Sequence, residues 1–145
     1  MKPAYAFGHG LSYTSFSYAL PPAPASPVVP TRVVHQIPGA RGRGRVLAMI
    51  DFTLKNTGSL DGAEVAQLYT TFPASAGEPP RQLRNFTKVH LAAGESAHLS
   101  FAVSERDLSI WDVPSGTWTL VSGAHRLAVG AASDDLRLNV TVNIQ

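Results

Sequence analysis

Residues 45–72 read RVLAMIDFTLKNTGSLDGAEVAQLYTTF. Val46, Ala48, Ile50, Phe52 and Leu54 recur at every second position, which places all five on one face of a β-strand. Asp51, Thr53 and Lys55 fall on the other face. Asn56, Thr57 and Gly58 stop the strand, and Asp61-Gly62 is a second turn signal. Residues 63–72 form the next strand, in which Ala66, Leu68 and Phe72 can share the same core. Its opposite face carries Val65, Gln67 and Tyr69, more apolar than a free surface requires. Two adjacent strands with a common buried face need a second sheet over them.

The remaining chain supplies strands for that sheet. Residues 13–19 (YTSFSYA) are aromatic and hydroxyl-rich and read as a strand. In residues 81–91 (RQLRNFTKVHL) the apolar residues are Leu83, Phe86, Val89 and Leu91. Their spacing slips once near Asn85 or Phe86, as a bulge would make it do. Ala92-Ala93-Gly94-Glu95 reads as a hairpin turn, after which Ala97, Leu99, Phe101 and Val103 alternate with polar positions. Ser104-Glu105-Arg106-Asp107 has capping-box spacing and predicts one helical turn. Short strands follow at 110–113, at 117–121 with Trp118 as anchor, and at 125–129. A last amphipathic strand carries Leu136, Leu138, Val140, Val142 and Ile144. The count is seven to nine short strands with turn signals about every ten residues. That pattern predicts an all-β protein, an immunoglobulin-like (fibronectin type III-like) antiparallel β-sandwich.

One stretch interrupts the pattern. Residues 20–44 hold six prolines and the run GARGRG, and read as a long loop with a brief extended piece at 32–36. Arg41, Arg43 and Arg45 alternate there, and the tract is too short to argue for RNA. With a net charge of +2, nucleic acid is not an expected partner. No apolar run approaches the roughly 20 residues of a membrane helix, so no membrane is expected either. The start, MKPAYAFGHG, lacks the apolar core of a signal peptide. A protein that works outside the cell would then contain this chain as a fragment of something longer.

Candidate chemistry is sparse. The absence of cysteine excludes thiol catalysis, disulfides and cysteine-ligated zinc. A glycosidase needs two carboxyl groups about 5–9 Å apart across a sugar, and the ten carboxylates here are scattered over turns and solvent faces. No serine lies in a G-x-S-x-G elbow. His9, His35, His90, His98 and His125 show no ligand spacing, so neither a metal nor a cofactor is expected. Tyr69, Trp111 and Trp118 are the aromatic candidates for sugar stacking. Asn85-Phe86-Thr87 and Asn139-Val140-Thr141 fit the N-x-T glycosylation pattern, which would require Asn85 and Asn139 to face solvent.

Five ordered blocks then resemble one family. AYAFGHGLSYTSFSY (residues 4–18) resembles the F-G-[HY]-G-L-S-Y-T-x-F segment of family 3 glycoside hydrolases, which leads into their C-terminal fibronectin type III-like domain. NTGSLDGAEVAQLY, PRQLRNFTKVHLAAGES, DLSIWD and LAVGAASDDLRL follow where that family has its corresponding motifs. The wording PRQLRNF is similar to that of secreted fungal β-glucosidases. Two positions depart: Ala6 stands where proline is common before Phe7, and His125 stands where an aromatic, often a corner tyrosine, begins its strand.

The resemblance implies a division of labour. The family's nucleophilic aspartate and acid/base glutamate lie in upstream barrel and α/β domains, so no catalytic residue carries over, and the chain alone is expected to be inert. Residues 1–12 would be a lead-in segment from those upstream domains, and residues 13–145 the sandwich with its proline- and glycine-rich loop at 20–44. Phe7, Gly8, Gly10, Tyr13, Val65, Gln67 and Tyr69 would touch the upstream domains, with Gly8 and Gly10 permitting close backbone approach. The parent would be a secreted β-glucosidase or β-xylosidase, extracellular, hydrolysing terminal β-glycosidic bonds. Two other roles fit the residues: a polysaccharide- or plant-polymer-binding module, and a free-standing adhesion or scaffold domain.

Overall fold

In the computed structural model, residues 4–21 and 44–145 are described. The extended piece expected at 32–36, Arg41, Arg43 and all but the ends of the loop at 20–44 lie outside them. Among the described residues nine strands run in chain order: β1 (Phe16–Ala19), β2 (Val46–Asn56), β3 (Gly62–Thr71), β4 (Gln82–Leu91), β5 (Ser96–Ser104), β6 (Ser109–Asp112), β7 (Thr117–Leu120), β8 (Gly123–Ala132) and β9 (Asp135–Ile144). They form a three-stranded sheet, β1-β2-β5, a four-stranded sheet, β4-β3-β8-β9, and a separate hairpin, β6-β7. Every pairing is antiparallel.

The two larger sheets meet over one core. Ile50, Phe52 and Leu54 of β2 and Phe101 and Val103 of β5 come from one side. Leu68 of β3, Leu127 and Val129 of β8 and Leu138 of β9 come from the other. The alternation read from β2 holds at all five positions. Each fully buried leucine of this set is worth about 2 kcal/mol.

β2 and β3 are not neighbours. They are consecutive in sequence but lie in opposite sheets, so their apolar faces look at each other across the core. β4 and β5 are divided in the same way, so Ala92-Ala93-Gly94-Glu95 is a crossing between sheets and not a hairpin turn. The two crossings sit side by side, tied by Asn56. Its amide nitrogen donates to the carbonyls of Leu60 (2.8 Å) and Leu91 (3.1 Å), and its Oδ1 accepts from Thr14 Oγ1 (2.7 Å) and Gly58 N (3.1 Å). Asn56 also bonds through its backbone to Gly94 and Glu95. A fully buried amide with every partner supplied fixes where both crossings go.

Other expectations shift by a few residues. β1 begins at Phe16, three residues after the predicted start, and leaves Tyr13 in solvent. The slip in β4 falls at Arg84: Leu68 pairs with Asn85 and Tyr69 with Leu83. Downstream of this bulge Thr87, Val89 and Leu91 turn inward, and Phe86 faces out instead of joining the core. The capping box forms, with Ser104 N and Oγ donating to Asp107 Oδ2 (2.8 and 2.6 Å), and the turn it starts is a 3₁₀ helix, Glu105–Leu108. Trp118 is not a core anchor. It lies partly exposed on the β6-β7 hairpin, edge-on to Trp111 at 5.6 Å with the Arg106 guanidinium over its ring.

Candidate functional site

The outer face of the four-stranded sheet is where the chain departs from an ordinary solvent surface. Gln67 and Tyr69 point outward from β3, yet they are only 4% and 2% exposed. What covers them is the segment before β1. Gln67 Nε2 donates to Gly8 O (3.0 Å) and to Ala131 O (2.5 Å), and Tyr69 Oη donates to Gln67 Oε1 (2.6 Å). The Ser133 amide donates to Phe7 O (2.9 Å), so the segment is fastened to the β8-β9 turn as well. Burial raises the Tyr69 pKa. Gly8 makes this approach possible. Its φ is +80°, and a Cβ there would collide with Gln67 Oε1 and stand 2.9 Å from Tyr69 Oη.

Further on, the segment threads past the Asn56 corner. Thr14 bonds to Asn56, and Thr57 N donates to Ser15 O (2.8 Å). A Cβ on Gly62 would come within 2.6 Å of Thr14 Cγ2, and one on Gly58 would strike Thr14 Oγ1. β1 is then held from the far side of the sandwich. Arg137 of β9 donates to Phe16 O (2.6 Å), lies over the Tyr18 ring and pairs with Asp135 (2.6 Å). The hydrogen bond from Arg137 holds the Asp135 carboxyl below its ordinary value. Tyr18 Oη donates to Glu64 Oε1 (2.7 Å), and burial followed by that bond pushes its pKa well above the tyrosine range.

Between the segment and the sheet runs an open groove of about 1020 Å³. Of the residues expected at an interdomain contact, Phe7, Gly8, Gly10, Tyr13, Val65 and Gln67 line it. Tyr69 lies beneath the segment, and neither it nor Gln67 offers a free surface. Among the described residues nothing lies within 4 Å of a Cβ on Gly10, so unlike Gly8 it accommodates no close contact with them. Leu11, Phe86 and Lys88 also line the groove and were not singled out from sequence. Leu11 is 93% exposed, Tyr13 98% and Phe86 63%.

Three of the groove's acids have structural partners. Asp61 accepts from the Ala93 amide (3.0 Å), Glu64 from Tyr18 and Asp135 from Arg137. Among the described residues, no three His, Asp or Glu side chains gather as metal ligands. No described helix is long and apolar enough to cross a membrane.

The remaining predicted residues lie apart from the groove. His125 is wholly buried. Its Nε2 bonds to Val121 O (2.7 Å), which makes Nε2 the protonated nitrogen, and its ring stands edge-on to Phe72 at 5.2 Å. The histidine thus ties its strand back to a carbonyl four residues upstream, as a corner tyrosine does. His98 is exposed on β5 and contacts Thr53. Asn139 faces solvent on β9, whereas Asn85 is only partly exposed on β4.

Comparison with known proteins fits this geometry. Residues 64–133 match the Fn3-like family, described as a fibronectin type III-like domain. A β-D-glucoside glucohydrolase from Trichoderma reesei superposes with a TM-score of 0.78 at 39% identity, covering 100% of this chain and 21% of that one. The chain is a fibronectin type III-like domain of the family 3 β-glucosidase type. The GH3 β-glucosidase of Bifidobacterium adolescentis contains the same domain fold, with a TM-score of 0.72 at 28% identity over 97% of this chain and 18% of its own. By sequence, the domain is 42% identical to a probable β-glucosidase D of Aspergillus niger, over 100% of this chain and 20% of the relative. It is 41% identical to a probable β-glucosidase L of Emericella nidulans, over 95% and 19%. The fibronectin type III-like domain therefore spans about a fifth of the length of the relatives it matches.

Proposed function

We propose that this domain is a non-catalytic accessory part of a secreted family 3 β-glucosidase, packed against upstream catalytic domains of the same polypeptide and stabilising them. Residues 1–12 carry the chain in from those domains, and residues 13–145 form the docked body. The observation that supports this reading is the exposure of Leu11, Tyr13 and Phe86 around one groove. The segment bearing the first two is bonded firmly to the domain on either side. Apolar side chains held in solvent by an ordered backbone mark a surface that something else covers. Gly8, Gln67 and Tyr69 serve it from below by fixing the path of the segment.

The test has two arms. The 145-residue chain assayed with an aryl β-glucoside should give no turnover above buffer. In the parent enzyme, Leu11→Ser with Tyr13→Ser should lower the Tm by several degrees while kcat/KM stays near wild type. Turnover by the isolated chain that depends on one of its carboxylates contradicts the reading.

One observation favours a second role, binding to plant polymer. Trp111 is 51% exposed on the β6-β7 hairpin, away from the groove. Loss of retention on insoluble cellulose or lignin in Trp111→Ala would support it. Tyr69 takes no part in this role, because its ring is buried.

A further inference from the structure

We infer that Asn139, and not Asn85, carries an N-linked oligosaccharide. The inference rests on the proposed secretion of the parent. Both sites share the N-x-T pattern, and the structure separates them by the faces they occupy. On β9, Leu138, Val140 and Val142 turn toward the core while Asn139 and Thr141 are exposed between them. Asn139 Oδ1 accepts from Arg126 Nε (2.9 Å), which orients the amide and leaves Nδ2 without a partner among the described residues. Among the described residues β9 is the outermost strand of its sheet and pairs with β8 alone, so a glycan there displaces no described strand.

Asn85 is placed differently. In register it stands opposite Leu68, and Thr87 stands opposite Ala66. Directly opposed residues of an antiparallel pair share a face, and Leu68 and Ala66 are both fully buried in the core. Both polar side chains of that sequon are therefore turned to the inner side of β4. Asn85 Oδ1 also closes onto the Phe86 amide (2.9 Å). A glycan on Asn85 would start from the core-facing side of β4, where Asn85 is only partly exposed.

The co-reactant is a lipid pyrophosphate-linked oligosaccharide of the secretory pathway. Asn139 Nδ2 forms a bond to the anomeric carbon as the bond from that carbon to the pyrophosphate oxygen breaks. The amide proton goes to a base of the transferase, and the lipid pyrophosphate departs with the electron pair.

The test expresses the 145-residue chain behind a cleavable secretory leader in yeast and reads occupancy of each sequon by peptide mass spectrometry with and without endoglycosidase. Wild type should carry one glycan, on Asn139. The endoglycosidase-sensitive mobility step should be lost in Asn139→Gln and in Thr141→Ala and kept in Asn85→Gln. Occupancy at Asn85, or an empty Asn139 in chain recovered from either the medium or the endoplasmic reticulum fraction, overturns the inference. Because the leader supplies the route, such a result leaves the secretion of the parent untouched. That is read separately, from protein in the culture medium of the source organism.

Discussion

Asn56 shows how one side chain can specify a topology. Its amide serves the carbonyls of two different crossings, and its oxygen serves Thr14 and Gly58. Asn56→Ala strips all of these at a fully buried position, where each orphaned group costs about 1–3 kcal/mol. A loss of about 3 kcal/mol in urea unfolding is expected, with Thr14→Val costing about 1 kcal/mol. The two nearby glycines divide as sharply. Gly8→Ala places a Cβ at positive φ against Gln67, a change worth about 1–3 kcal/mol that should free residues 4–14 to limited proteolysis. Gly10→Ala meets none of the described residues and should leave the digestion pattern as in wild type. Tyr18 adds a pH dependence. Its folded pKa is raised, so the fold favours the neutral phenol. That contribution is intact below the unfolded value of about 10 and is lost as pH rises further. Ultraviolet titration should show part of the tyrosine absorbance change delayed into the alkaline range, and the delayed part should shrink in Tyr18→Phe.

At the level of strands and turns, periodicity was a good guide to faces and a poor guide to partners. β2 alternates because one side of it lies in the core, and that is written in residues 46–54. The stops at Asn56–Gly58 and at Ala92–Glu95 are equally visible. A turn signal says that the chain reverses, however, and not whether it stays in its sheet. Membership was decided by Asn56, whose partners lie up to 42 residues away in sequence. The bulge in β4 could be seen as a slip. Its consequence, an outward Phe86, could not, because the extra residue is Arg84 and everything after it changes face. The groove was legible in part. The outward side of β3 reads as too apolar for water, and it is indeed covered, but Gln67 and Tyr69 are covered by the chain's own segment. Leu11 and Phe86 carried no sequence signal of exposure, since an apolar residue reads as core until its neighbours are known.

As a molecule, the domain is complete on its inner side and unfinished on its outer one. The two sheets bury a continuous core from β2, β5, β3, β8 and β9. Asn56 closes one end, and His125 ties β8 back to Val121. The segment before β1 is fastened down at Gly8 and Thr14, yet between them it holds Leu11 and Tyr13 in water. That arrangement suits a body made to be seated on a larger one. Hydroxyl-radical footprinting of Leu11, Tyr13 and Phe86, in the full-length parent polypeptide and in the isolated chain, tests it most directly, with Trp111 as internal reference. All three should be strongly protected in the parent while Trp111 oxidises equally in both. Equal oxidation of Leu11, Tyr13 and Phe86 in the two samples would mean that this face is never covered, and would contradict the docking role.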